Sequence, residues 1–144
     1  MKYPQHIGRY AVMTLWLVLA GCSTIATYDK VAYDKATGAK AEALALMDKA
    51  TDSYAQRSKQ AEAVLLTIDK AYEYDRGRAL NSITVKQWEI LKARDGNLFG
   101  GFIRRWEEKG ALRAAYIQEK KPDIAEAFDQ IIQLERGKRP VTSN

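Results

Sequence analysis

The chain has 144 residues, with 23 Lys plus Arg against 18 Asp plus Glu, one His and one Cys, for a formal net charge of +5. That length accommodates one ordinary domain, and 47% apolar with 28% charged residues is a globular composition, not a disordered one. A single cysteine excludes an internal disulfide, and the positive surplus points to nucleic acid or an anionic membrane only if the N-terminal segment stays on the protein.

Lys2 and Arg9 precede an apolar run from Ala11 to Ala20 that is interrupted only by Thr14. A basic start followed by a short apolar run has the layout of a secretory signal. The ten residues, at ~1.5 Å each, cover about half of the ~30 Å hydrocarbon layer, too little for a good membrane span. The run ends at Leu19-Ala20-Gly21-Cys22. These four residues resemble the lipobox of bacterial lipoproteins: an aliphatic residue, a small residue, Gly or Ala, then Cys. The resemblance covers about the first 22 residues. It implies that residues 1–21 are a cleaved signal peptide, that the Cys22 thiol carries diacylglycerol and that the new α-amino group is acylated; no other cofactor is expected. Ser23, where Asp would signal inner-membrane retention, implies the periplasmic face of a Gram-negative outer membrane. One acyl chain gives only marginal binding at ~0.8 kcal/mol per buried methylene, so the two or three implied here hold the protein firmly.

Removing the first 21 residues leaves 21 basic against 18 acidic side chains over 123 residues, and the only histidine, His6, goes with them. No block of the remaining chain is strongly one-signed, so nucleic acid drops out as a partner.

Residues 22–27 are expected to be the lipidated cysteine and a short tether, residues 28–137 a helical domain, and residues 138–144 a loose polar tail. From Ala39 to Arg76 there is no Gly or Pro. Apolar side chains recur at Ala36, Ala39, Ala43, Met47, Ala50, Tyr54, Ala61, Val64 or Leu65, Ile68 and Tyr72, a helical spacing that weakens at Gln56–Gln60. One helix over 28–76 would reach about 73 Å. Gly77 stops it. Thr84 and Gln87 have the spacing of a capping box for a second helix starting at Val85, with Ile83 and Trp88 as its hydrophobic staple. Gly96, Gly100 and Gly101 predict a break, after which Phe102–Lys109 is helical and Gly110 ends it.

Ala111–Lys120 is again helical, with Leu112, Ala115 and Tyr116 on one side. Pro122 either opens a new helix or kinks the old one. Ile124, Phe128, Ile131 and Leu134 or Glu135 trace a buried seam that stops at Gly137. Nothing alternates like a strand. The class predicted is all-α: one long N-terminal amphipathic helix packed with two or three shorter helices as an elongated helical bundle.

Without His6, and with Cys22 acylated, the domain has neither imidazole nor free thiol, which excludes Ser-His and Cys-His pairs and zinc sites of Cys or His type. Carboxylates remain. Glu107 with Glu108, Asp69 with Glu73, or Asp48 with Asp52 have the residue types of a glycan-cleaving acid and base, but on Lys-rich helices they read better as a solvated face. The glycines of 96–101 lack the Lys and Ser/Thr of a phosphate loop.

Two groups suit a partner surface. Trp88, Phe99, Phe102 and Trp106 are residue types found both at interaction hot spots and in small helical cores, with core preferred. Arg104 and Arg105, with Lys109 and Arg113 beyond, suit lipid headgroups, an acidic partner or peptidoglycan carboxylates. The function expected is that of a non-enzymatic, lipid-anchored interaction module for an envelope protein or complex. The alternative is a non-covalent link to peptidoglycan, since Val141-Thr142-Ser143-Asn144 lacks the C-terminal Lys through which the murein lipoprotein attaches covalently.

Overall fold

Five helices follow one another in the computed structural model, which describes residues 25–138: α1 Lys30–Met47, α2 Tyr54–Arg76, α3 Ser82–Lys92, α4 Phe99–Lys109 and α5 Ala114–Arg136. No strand occurs among the described residues. The expected signal segment with Cys22, Ser23 and Thr24, and Arg139–Asn144, lie outside them.

The single long helix is corrected to a helical hairpin, since the chain turns back between Met47 and Tyr54. The Thr51-Asp52-Ser53 run supplies side chains that compete with the helical backbone for hydrogen bonds and so favour a turn over a continued helix. The turn is pinned from outside as well. Tyr54 N–H donates to the Gly110 carbonyl (2.6 Å), Leu112 N–H to the Ala50 carbonyl (2.9 Å) and Trp106 Nε1 to the Asp52 carbonyl (3.0 Å). The α1–α2 and α4–α5 connections thus satisfy each other's backbone groups at one end of the bundle.

The stripe itself is the core line. Ala36, Ala39, Ala43, Met47 and Ala50 are buried, and Ala61, Val64 and Ile68 continue it on α2. Alanines let α1 lie close against both α2 and α5, the two helices it packs on. α3 packs on α5, α2 and α4. Phe99, Phe102, Ile103 and Trp106, at the i, i+3, i+4, i+7 positions of α4, all face inward.

α3 begins at Ser82, three residues before the start predicted from the capping box. Thr84 is buried and Ile83 is 57% exposed, so neither the box nor the staple forms. Trp88 is fully buried because its indole N–H reaches Asp75 Oδ2 at 2.8 Å, which turns the α3 face toward α2. Gly100 and Gly101 belong to the first turn of α4, not to a break. A Cβ on Gly101 would lie 1.8 Å from the Gly96 carbonyl oxygen, and one on Gly100 would lie 2.2 Å from that of Lys92. These glycines let helix and loop backbones touch. Pro122 sits inside α5 without ending it, so Ala114–Arg136 is one helix that starts three residues later than the predicted 111–120 stretch; Ala115 is exposed.

The topology gives the bundle two poles. The starts of α1 and α3 and the ends of α2 and α5 share the first pole with Ile25–Asp29. The α1–α2 turn and the α4–α5 connection share the second. The 23 residues of α5 run from the second to the first, about 34 Å at ~1.5 Å per residue.

Candidate functional site

Of the two readings of the aromatic group, the preferred one holds and the partner surface falls away: the rings are core. Trp88, Phe99, Phe102 and Trp106 are each at most 1% exposed and present nothing to a partner. Three of them pack edge to face in the core: Trp88 and Phe99 both meet Phe128, at 6.0 and 6.5 Å between centroids, and Trp106 meets Tyr54 at 5.4 Å. A five-helix body of this size leaves no other place to bury such areas.

The basic half divides. Arg104 is exposed but engaged, donating to the Arg94 carbonyl (2.6 Å) and pairing with Glu108 (3.1 Å). Arg105, Lys109 and Arg113 are exposed and form no ion pair among the described residues. Together with Leu112 and Tyr116 they line a hollow of about 350 Å³ at the second pole. Phe102 stacks on Tyr116 at 6.1 Å, and the Arg105 guanidinium lies 4.6 Å from the same ring's centroid, which holds one cation at the rim by cation–π attraction. The hollow also contains the start of α5, whose first turn carries no acidic side chain. Three cations and the positive end of a long helix face the same space.

The carboxylate pairs considered for catalysis are all engaged at the surface. Glu107 pairs with Arg94 and Glu108 with Arg104. Asp69 pairs with Lys92 and Glu73 with Arg76, while Asp48 and Asp52 pair with Lys121 and Arg57 at 2.5 Å each. No cluster of His, Cys, Asp and Glu among the described residues has the arrangement of a metal site.

At the first pole the sequence reading missed a buried ionic network. Glu135, 1% exposed, accepts from Arg78 Nη1 (2.9 Å), from Lys138 Nζ (2.5 Å) and from the Asp29 amide (2.6 Å). Asp75, 2% exposed, accepts from Arg78 Nη1, Asn81 Nδ2 and Trp88 Nε1. Arg78 Nη2 donates to the Thr27 carbonyl at 2.5 Å, and Lys138 Nζ to Asn81 Oδ1 at 2.6 Å. No buried side-chain polar atom among the described residues is left without a partner. Burial works to raise the Glu135 carboxyl, but the bonds from Arg78, Lys138 and the Asp29 amide outweigh it and hold the group below its ordinary value. The same contest, won by Tyr74, the Ala32 and Val31 amides and Arg78, lowers Asp29.

The signal for this network was present. Asp75 continues the spacing of Val64, Ile68 and Ala71, and Glu135 follows Phe128 and Ile131, so each is a carboxylate at a core position. Of the expected 22–27 tether, the described Ala26 and Thr27 are bonded to the body, Ala26 N–H donating to the Leu80 carbonyl (3.0 Å) and the Thr27 carbonyl accepting from Arg78, and Lys138, the first residue of the expected tail, is buried.

Beside the network opens a hollow of about 490 Å³ lined by Ile25, Leu80, Ile83, Gln130, Leu134 and neighbouring residues. No described helix is long and apolar enough to cross a membrane. No protein-family model, no curated protein and no solved structure matches the chain.

Proposed function

We propose that this protein is a lipid-anchored, periplasm-facing outer-membrane lipoprotein whose helical body is a non-enzymatic binding module, with the cationic hollow of the second pole as its contact for an acidic envelope protein. Cys22 carries the diacylglycerol and N-acyl chains and needs no other cofactor. The reading leaves nucleic acid aside, since export separates the chain from it.

The observation that carries the proposal is the convergence of Arg105, Lys109 and Arg113, without carboxylate partners among the described residues, at the pole away from Ile25. An anchored body meets other molecules with the end that projects from the membrane. Exposed cations there steer an acidic partner and set orientation, and their contribution weakens as salt rises. Peptidoglycan, which also carries carboxylates, fits less well because Tyr116, the ring of this hollow, is already committed to Phe102 and Arg105 and offers less to a sugar face.

A photo-crosslinking residue at Arg113 in cells tests this, with Leu66 on α2 as the control position. A discrete adduct with one envelope protein is expected at 113, lost when Arg105 and Lys109 are both changed to Glu. If crosslinking at 113 is no stronger than at 66, the acidic-protein reading is wrong; if the protein then sediments with purified peptidoglycan, the wall-binding alternative replaces it.

A further inference from the structure

We infer that the first pole of the bundle rests on the bilayer itself, with Ile25, Leu80 and Ile83 entering the lipid interface; this rests on the lipid anchor at Cys22 proposed above. Three observations lead to it independently of the cationic hollow.

The first is composition. Ile25, Leu80 and Ile83 are 55%, 56% and 57% exposed and line the same 490 Å³ hollow. Among the lining residues only Lys138 is charged, and its ammonium turns inward to Glu135 and Asn81. The rest of the polar lining is uncharged, with Gln87, Gln130 and Gln133 able to hydrogen-bond lipid glycerol and phosphate oxygens. An uncharged apolar mouth is unusual on a chain with 28% charged residues.

The second is backbone geometry. Leu80 has φ 59°, the left-handed region that favours Gly or Asn, and it is the only non-glycine residue there among the described residues. Its turn is locked by the Ala26 amide bonding to its carbonyl at 3.0 Å. A strained backbone that holds a leucine out into solvent gains nothing in water, whereas the same side chain directed at lipid is favourable.

The third is reach. Cys22 is three residues from Ile25, so at ~3.3–3.6 Å per residue their Cα atoms lie within about 11 Å of each other. An anchor in the bilayer therefore brings this pole to the membrane surface. The occupant is the bilayer and not one of the protein's own acyl chains. A chain drawn into a hollow open to solvent would leave a fully apolar surrounding for a partly wet one.

The test uses the full chain, processed in a Gram-negative host and reconstituted into phosphatidylethanolamine and phosphatidylglycerol vesicles. With Cys22 acylated, Ile83→Cys supplies the only free thiol for a fluorophore, and Leu66→Cys provides a control 53% exposed on the side of α2. Shallow nitroxide-labelled lipids should quench the probe at 83 several-fold more than the probe at 66. Leu80→Asn, which suits the backbone better and so keeps the fold, should reduce quenching at 83.

Equal quenching at 83 and 66, on protein shown by mass spectrometry to carry its acyl chains and by flotation to be on the vesicles, overturns the inference and leaves the anchor standing. An unmodified Cys22 overturns the anchor and this inference with it. A spectral shift at 83 that follows protein concentration, without lipid quenching, means a second copy covers the hollow and also overturns it.

Discussion

Glu135 occupies a place where the seam of Ile124, Phe128 and Ile131 calls for an apolar side chain, and it is kept there by two cations and an amide. Its carboxyl and that of Asp29 are held below their ordinary values in the folded protein. The folded state therefore binds fewer protons than the unfolded one as these groups titrate. Their stabilisation is complete above the ordinary carboxylate range and is lost as pH falls through the depressed folded values. Denaturant unfolding should show stability declining from about pH 5 downward. Glu135→Gln keeps the shape but leaves Arg78 and Lys138 under-compensated in a buried site, and should cost about 3–5 kcal/mol at pH 7 while flattening the acid decline. A Glu135→Gln protein with an unchanged acid limb would show that this group does not set it. Glycines divide by surroundings in the same way. Gly101→Ala drives a methyl into the Gly96 carbonyl and should destabilise by about 2–3 kcal/mol or more, whereas Gly38, in the middle of α1 with nothing within 4 Å of where a methyl would sit, should gain about 0.5–1 kcal/mol on Gly38→Ala. Thermal melts of the two variants should move in opposite directions.

At the scale of elements, the hydrophobic spacing located what is buried better than it located where helices stop. The Ala stripe, Ile68, Phe128 and Ile131 all lie in the core as their period demands, because a 3.6-residue repeat reports one face of a helix regardless of its neighbours. The hairpin between Met47 and Tyr54 was not legible from that repeat, since Ala50 stays on the stripe while the backbone turns around it. The cue was Thr51-Asp52-Ser53, and the decisive bonds come from Gly110 and Trp106, more than fifty residues away. The start of α3 failed for a related reason: the Thr84 hydroxyl faces Lys138, an interaction no local cap pattern contains. Of the candidate surface, the cations were legible as a cluster in sequence, but which of them pair was not, because Arg104 finds Glu108 and the Arg94 carbonyl while Arg105 and Arg113 find no carboxylate among the described residues. Pro122 gives the element-scale prediction. Exposed inside α5, it has no N–H for the Gln118 carbonyl, so Pro122→Ala restores one helical bond. Part of that gain is offset by the greater freedom of the unfolded chain, leaving an expected increase of about 1–2 kcal/mol in unfolding free energy. No rise in melting temperature would mean that α5 already satisfies that carbonyl another way.

Over the whole molecule, the buried network and the apolar mouth belong to one pole and the exposed cations Arg105, Lys109 and Arg113 to the other, separated by the length of α5. Each surface residue involved is exposed, and none of Arg105, Lys109 and Arg113 supports a packed neighbour through an ion pair among the described residues. Changing these three to Glu removes the Arg105–Tyr116 cation–π contact and no ion pair among the described residues, and should therefore cost no more than about 1 kcal/mol of stability. The pair Leu80→Asn and Ile83→Asn acts at a distance of roughly 30 Å, well beyond the ~7–10 Å over which substitutions couple. Combining both sets should give a change in unfolding free energy equal to the sum of the two to within about 0.5 kcal/mol. Function should separate along the same line. With the photo-crosslinking residue at 113, changing Arg105 and Lys109 to Glu should abolish the crosslink while keeping lipid quenching at 83, and the Leu80→Asn, Ile83→Asn variant, probed at Ile25→Cys, should lose quenching while keeping the crosslink. Loss of both activities from either set would mean that the poles are coupled through the bundle, in which case the long α1 and α5 helices, packed on each other along the Ala stripe and joined by the Lys40–Asp129 pair at 2.5 Å, are the elements that connect them.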